Sequence, residues 1–457
     1  MDLSFLEIKD VLGNINQLGE GGIDSLNFKN ISIDSRTCLK NDLFIAIKGK
    51  NFDGHSFLPE VLNKGVKSVV IKEGMQKLLP DNFPCWVVND TLEAFQKLTL
   101  LKRKKLSIPV VAITGSVGKT TTKEMVGEVL KKLGKIKLSH ANFNNEIGVG
   151  LTILATDKED KVLVLEMGMR GLGQIENLSK YSEPDIAVIT NIGTAHIGLL
   201  GSKKNITYAK CEISKFLNPK GVVIIPANDL LLEETLREYW KGRVIKVELL
   251  NIENQKDSFK KDDNLRGFYN PSNKTILIEE NTFEISFEGF HNASNFLFAY
   301  AVAKELGIDF ASFNKFDFVS LGGRNKILKS VKTTIYDESY NASPESVKAC
   351  IKNLLEKPRN KFFIFGSMQE LGKESEKYHK EIFNLINNSD IEKCLFICDK
   401  ENEKIYSNYL KDKNKFLVLN NIKDVPQEIN KSTKKGDSIL IKGSRCWQLE
   451  KIIELIN

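Results

Sequence analysis

Gly115, Gly118, Lys119 and Thr120 fall close together within Val110–Glu124, VVAITGSVGKTTTKE. Two glycines, an ammonium and a hydroxyl at this spacing suit a triphosphate. The glycines let the backbone approach phosphate oxygens. Lys119 can reach the β- and γ-phosphates, and the Thr120 hydroxyl can ligate Mg²⁺. Thr114, Ser116, Val117 and Thr121 complete the loop. Val110, Val111, Ala112 and Ile113 are apolar strand formers, and a helical pattern follows the threonines. The stretch reads as a buried strand, a tight loop and a helix start whose amides and dipole favour an anion. The general pattern G-x-x-x-x-G-K-[ST] asks for a glycine where Ile113 stands, leaving G-x-x-G-K-T. A glycine-rich turn carrying a surface lysine is the other reading.

Further candidates follow strand-like runs. Glu166, after VLVL, is placed like an acid that holds Mg²⁺ directly or through water; a carboxylate capping the next turn is the alternative. His196 ends Asn191–His196 (NIGTAH) after AVIT, as a metal ligand or as a satisfied loop histidine. Asn144, Asn145 and Glu146 could hold nucleotide or metal, or form a cap and turn. Lys210 falls on a helix beginning near Lys204, where spacing alone predicts a solvent-facing side chain. Arg324, after Gly322 and Gly323, could reach a phosphate across a domain cleft or lie on a surface loop. Nearer the N-terminus, Asp34, Ser35, Arg36 and the loop Gly49–His55, with Asp53, Gly54 and His55, offer donors for an anionic ligand, or are turns.

These groups need a scaffold of several domains. A chain of 457 residues exceeds one ordinary core. Short strand and helix patterns make residues 1–107 a first unit. From 108 to 317, strands at Val110–Ile113, Lys161–Leu165, Ile186–Thr190 and Gly221–Ile225 alternate with helices, the rhythm of a doubly wound parallel sheet. The stretch Lys241–Phe287 reads as weaker β structure, and His291–Leu306 as a buried helix. From 318 to 457 the pattern restarts as a smaller α/β domain.

Basic and acidic residues, 66 and 59, are interleaved. No basic stripe carries aromatics, which argues against nucleic acid. The run Lys102–Lys105 (KRKK) reads as a solvated linker face, with electrostatic help for an anionic substrate as the alternative. Seven cysteines, scattered and without a CxxC pair, read as free thiols in a reducing compartment, and Cys394 and Cys398 as core. The first ten residues lack a signal-peptide pattern and no apolar run spans a membrane, so a cytoplasmic protein with no transmembrane segment is expected.

In this order, TGSVGKTTTKE, NFNNEIGVGLTIL, the segment from LEMGMRGLGQ to NIGTAHIGLLGS, AKCEI, HNASN, GGR, DESYNASPESVKA and KGSR resemble the Mur ligases over about residues 31 to 450. The resemblance implies three domains: an N-terminal α/β domain for a UDP-sugar, a central ATP-binding P-loop domain and a C-terminal Rossmann-like α/β domain for an incoming dipeptide. It implies an ATP-dependent amide ligase joining D-alanyl-D-alanine to UDP-N-acetylmuramoyl-tripeptide through an acyl phosphate, as a monomer. Asp34, Ser35, Arg36, Asp53, Gly54 and His55 match the UDP-binding region. Lys119 and Thr120 match phosphate and Mg²⁺ residues, and Glu166 and His196 match metal ligands, with two Mg²⁺ expected. Lys210 aligns with a lysine that becomes a carbamate by taking up CO₂, which reverses its surface reading. Asn145, Asn292, Asn295, Arg324 and Asp337 match nucleotide contacts. Asp337-Glu338 stands where the family often has Asp-Asp, Gly366-Ser367-Met368 where it often has Gly-Asp-Met, and Gly150 where Pro is common. A folate polyglutamylating ligase would normally lack the first domain and YNASPES. A nucleotide-switched binding protein would not need Glu166, His196 and Lys210 together.

Overall fold

The computed structural model describes residues 3–16, 28–49, 52–253, 263–311, 313, 315–318, 323–330, 332–410 and 412–456. Of the residues read above, Lys50, Asn51 and Gly322 lie outside them. Three parallel-dominated sheets of four, ten and six strands follow one another along the chain.

The first sheet is all parallel, Ile31–Ser32, Leu43–Ile45, Ser68–Lys72 and Cys85–Val88 in order. The helix Thr91–Lys105 leads out of it, capped at Asp90 by hydrogen bonds from the Leu92 and Glu93 amides. Here the reading of KRKK as a solvated face is corrected for its first half. Lys102 and Arg103 are buried, whereas Lys104 and Lys105 are exposed. Arg103 Nε donates to Ser182 O at 2.7 Å and its guanidinium pairs with Asp185 at 3.0 Å. The run bolts this helix to the central domain, because a long side chain can bury its stem and still satisfy its charge.

The central sheet places Val110–Thr114 between Ile186–Ile189 and Asp160–Glu166, with Lys135–Leu138 at the edge. All five residues of Val110–Thr114 are buried, as a strand covered on both faces requires. The connection from this strand runs to one side, to Lys135–Leu138, and the one from Asp160–Glu166 crosses to the other, to Ile186–Ile189, so the carboxyl end of Val110–Thr114 lies at the topological switch point, where such sheets hold ligands. On the far side, Val222–Pro226, Arg243–Asn251 and Leu265–Asn270 continue in parallel. Thr275–Ile278 and Asn281–Ile285 then add an antiparallel hairpin. The helix Phe290–Glu305 shares one apolar cluster with the helix Lys119–Leu130 through Met125, Val126, Val129, Ala293 and Phe296.

The third sheet runs Lys326–Lys329, Thr333–Glu338, Asp437–Lys442, Lys361–Gly366, Ile391–Ile397 and Phe416–Leu419, with only the first pair antiparallel. Cys394 and Cys398 are buried in it. No helix among the described residues is long and apolar enough to cross a membrane.

Candidate active site

Gly115 has φ 151° and Gly118 φ 83°. A Cβ on Gly115 would lie 1.9 Å from Thr190 Oγ1, and one on Gly118 2.6 Å from Asn295 Oδ1. Both turns therefore demand glycine. The loop they shape is held from the neighbouring strand. Asn191 Oδ1 accepts from the amides of Ser116 at 3.1 Å and Val117 at 3.0 Å, and Gly193 N donates to Ser116 Oγ at 2.8 Å. With those two amides engaged, the amides of Gly118, Lys119, Thr120 and Thr121 are the ones left for an anion. Gly118 is the N-cap, no side chain caps the helix, and its first bond runs from Thr122 N to Gly118 O.

Lys119 Nζ folds over the loop and donates to Gly115 O at 2.8 Å. Burial, and secondarily the charge of Arg324, lowers its pKa, while Glu166 opposes them. Thr120 Oγ1 donates to Glu166 Oε2 at 2.7 Å, and Asn144 Nδ2 to Glu166 Oε1 at 2.9 Å. Lys123, wholly buried, stands 3.9 Å from Glu166 Oε2 and donates to Ser139 O at 2.6 Å.

Among the described residues no three His, Cys, Asp or Glu side chains converge as a protein-only metal cage. A hydroxyl and a carboxylate on one spot are hard oxygen donors, and Mg²⁺ takes few protein ligands when phosphates and water supply the rest. The donor set fits such an ion.

Lys210 is 2% exposed on the helix Lys203–Cys211. Its surface placement by spacing alone is thus corrected. Ile206, one turn earlier, is also buried, and that i, i+4 pair is the stripe spacing could have shown. Burial, and then the nearby charge of Lys119, pushes the Lys210 ammonium well below its ordinary pKa.

His196 adopts φ 66° at the N-cap of Ile197–Leu200. Its Nδ1 lies 2.5 Å from Glu370 Oε2, in the third domain. Arg324 stacks its guanidinium over Tyr340, 3.5 Å from the ring centre. Asp337 Oδ2 accepts from Gly323 N at 3.1 Å, which supports that arginine's loop. Asn295 Oδ1 accepts from Thr122 Oγ1 at 3.2 Å, and Asn292 Nδ2 donates to Glu288 O at 2.7 Å. Asn145 spends its side chain on the Gly148 amide; Asn144 is the asparagine that reaches the cluster. Sequence reading passed over Lys123, although it shares a helix face with Lys119 and Thr120.

The N-terminal candidates stand apart from this cluster. Asp34 takes the Arg36 backbone amide and, at 2.9 and 2.7 Å, its guanidinium. Lys64 Nζ holds Ser35 O at 2.5 Å. His55 is buried, with Nδ1 2.6 Å from Asp53 Oδ1 and Nε2 accepting from Lys72 N at 3.0 Å. A Cβ on Gly54 would lie 2.8 Å from Ile47 N.

Comparison with known families accounts for these parts together. Residues 27–112 match "Mur ligase family, catalytic domain", 113–303 "Mur ligase middle domain" and 323–445 "Mur ligase, glutamate ligase domain". The chain belongs to the Mur ligase family. It is similar to the UDP-N-acetylmuramoyl-tripeptide–D-alanyl-D-alanine ligase of Bacillus subtilis, with 33% identity over 98% of both chains. The enzyme of that name from Synechocystis is 35% identical over 79% of this chain and 77% of its own. Among solved structures, MurF from Acinetobacter baumannii superposes with TM-score 0.84 at 25% identity, covering 99% of this chain and 98% of that one. MurF from Thermotoga maritima in complex with ADP gives 0.79 at 27% identity, over 93% and 96%. In Mur ligase terms, the P-loop cluster belongs to the middle domain, while Arg324, whose charge acts on Lys119, and Glu370, which contacts His196, belong to the glutamate ligase domain.

Proposed function

We propose that this Mur ligase joins D-alanyl-D-alanine to UDP-N-acetylmuramoyl-tripeptide at the expense of ATP, a step of peptidoglycan precursor synthesis. The observation that carries the reading is one cluster at the switch point. It combines four free helix amides, Lys119, the Thr120–Glu166 pair and a buried Lys210 with no hydrogen-bond partner among the described residues. The names of the relatives supply the substrates.

The terminal carboxylate of the tripeptide attacks the γ-phosphorus, ADP leaves, and the amine of the dipeptide then displaces phosphate from the acyl carbon. A carboxylate is a poor acyl donor, and phosphorylation gives it a leaving group. The amides of Gly118–Thr121 and the Lys119 ammonium face charge that develops on the transferring phosphoryl group. Thr120 and Glu166, with His196, would hold one or two Mg²⁺, which would neutralise phosphate charge. Arg324 reaches the nucleotide from the third domain, beside Asp337, Asn292 and Asn295. Arg36 and the Asp53–His55 loop belong to the UDP-substrate domain.

Lys210 suits a further step. A lysine whose ammonium is disfavoured by burial presents its neutral form more readily, and that form can attack CO₂ through its Nζ lone pair. Loss of one proton to solvent then leaves a carbamate, a carboxylate where an ammonium stood. That anion would sit beside Lys119 and could hold the second Mg²⁺.

The test is phosphate release from ATP with Mg²⁺ and bicarbonate. Release that needs both UDP-N-acetylmuramoyl-tripeptide and D-alanyl-D-alanine is the expected result. Release independent of both would make the chain a nucleotide switch.

A further inference from the structure

The loop Asn191–Gly198 is gripped from two sides. On the inner side lie the bonds to the P-loop already described, from Asn191 to the Ser116 and Val117 amides and from Gly193 to Ser116. On the outer side stands the third domain. Glu345, in the first turn of the helix Pro344–Leu355, accepts through Oε1 from Thr194 N at 2.8 Å and from Thr194 Oγ1 at 2.9 Å. Gly193 makes room for it: a Cβ there would lie 2.9 Å from Glu345 Cδ. Five residues after Gly193, Gly198 N donates to Glu370 O at 3.0 Å. A Cβ on Gly198 would lie 2.4 Å from Gly372 N.

Glu345 Oε2 is buried and has no hydrogen-bond partner among the described residues. A carboxylate that merely capped its own helix would keep both oxygens in water. This one gives up the hydration of one oxygen and retains two bonds to Thr194 on the other, an arrangement that costs free energy unless those bonds hold. Oε2 is also closed to a substrate amine, so the carboxylate acts through Thr194.

We infer that Glu345 is a positioning residue for phosphoryl transfer. Through Thr194 and Gly193, the seated third domain holds Ser116 and the P-loop in the shape that receives the nucleotide. This rests on the ligase reading above. It links the domain expected to bring the dipeptide with the loop expected to bind ATP by a run of hydrogen bonds through one strand-end loop. An ATP site assembled only when the third domain is seated would limit wasteful hydrolysis.

The experiment compares the parent with Glu345→Ala, Glu345→Gln, Thr194→Val and the double variant Glu345→Ala/Thr194→Val. It measures kcat and KM for ATP, and the Kd for the UDP substrate without nucleotide. Glu345→Ala should lower kcat/KM for ATP by about tenfold or more and leave the UDP-substrate Kd unchanged. Glu345→Gln keeps an oxygen acceptor for Thr194 and should return to within about threefold of the parent. The double variant should lose no more than Glu345→Ala alone, since both changes cut one link. A Glu345→Ala enzyme within about twofold of the parent, a glutamine variant as impaired as the alanine one, or additive losses in the double variant would each overturn the inference. If Glu345→Ala does not fold, Glu345→Gln near parent activity beside a Thr194→Val enzyme lowered about threefold supports it, and the reverse pattern overturns it. The parent is assayed in parallel. Failure of its substrate-dependent phosphate release would sink the ligase reading, whereas variants that match an active parent would sink only the role of Glu345.

Discussion

The carboxyl ends of the first and central sheets both carry dense polar motifs, yet the two regions use them differently. At the central sheet, Lys119 comes from a helix start, Glu166 from a strand end and Lys210 from another helix, and Lys119 interacts with both of the others; Lys119 also feels the charge of Arg324, and His196, on the next strand-end loop, contacts Glu370 of the third domain. Around the first sheet, Asp34 is satisfied by Arg36 two residues away, and His55 by Asp53 and the Lys72 amide. The first arrangement brings groups distant in sequence onto one another. The second pairs its groups within one domain to hold loops, and the Arg36 side chain, 84% exposed, faces solvent while it pairs with Asp34. A polar motif therefore points to a shared site where its members reach across the chain, and to a loop staple where they pair locally.

The largest expected effect breaks the comparison if it fails. Lys119→Ala should lower turnover by roughly 10²–10³-fold or more, the scale on which one charge-stabilising donor at a developing oxyanion counts. UDP-substrate binding should stay near the parent value. Near-normal turnover would mean that the central cluster is as self-contained as the first-domain loops.

Lys210→Ala should follow, with a loss of roughly 10–100-fold, the scale on which groups that support a bound metal count. Short carboxylic acids should restore part of the activity by occupying the space of the missing carbamate. A variant fully active without them would remove the carbamate and leave Lys210 as a buried lysine of other purpose.

The strands and the P-loop were legible because local pattern determines them. The expected Val110–Ile113 and Lys161–Leu165 are found as Val110–Thr114 and Asp160–Glu166, since a strand buried on both faces is a continuous apolar run. Lys210 misled the spacing argument because helix periodicity says which residues share a face and not what covers that face. The pairs His196–Glu370 and Thr194–Glu345 were beyond such reading. Glu345 lies 151 residues from Thr194, and the contact depends on how two domains are seated. Resemblance could supply the roles of Lys119 and Glu166, but not the hydrogen bonds that tie Asn191 to the loop.

A smaller effect tests the exposed charge of the first domain. Arg36→Ala should raise KM for the UDP substrate by about tenfold, the worth of one charge-assisted contact, with kcat and KM for ATP little changed. If KM for the UDP substrate stays put, Arg36 only staples Asp34, and the anion is held by backbone alone.

His55 should give the smallest catalytic effect, and it sharpens the contrast most. Both ring nitrogens are committed: Nε2 accepts from the Lys72 amide, so Nδ1 carries the hydrogen that Asp53 receives. That fixes one neutral tautomer with no lone pair or N–H left for a ligand. His55→Ala deletes these bonds and removes a buried ring that holds the Asp53 loop to the Lys72 amide, a cost of about 1–3 kcal/mol. The first domain should therefore melt several degrees lower while the enzyme, assayed well below that transition, keeps kcat and KM within about twofold. A variant with unchanged melting and a sharply raised KM for the UDP substrate would show that the Asp53–His55 loop is spent on the ligand after all, and the two regions would then differ in degree rather than in kind.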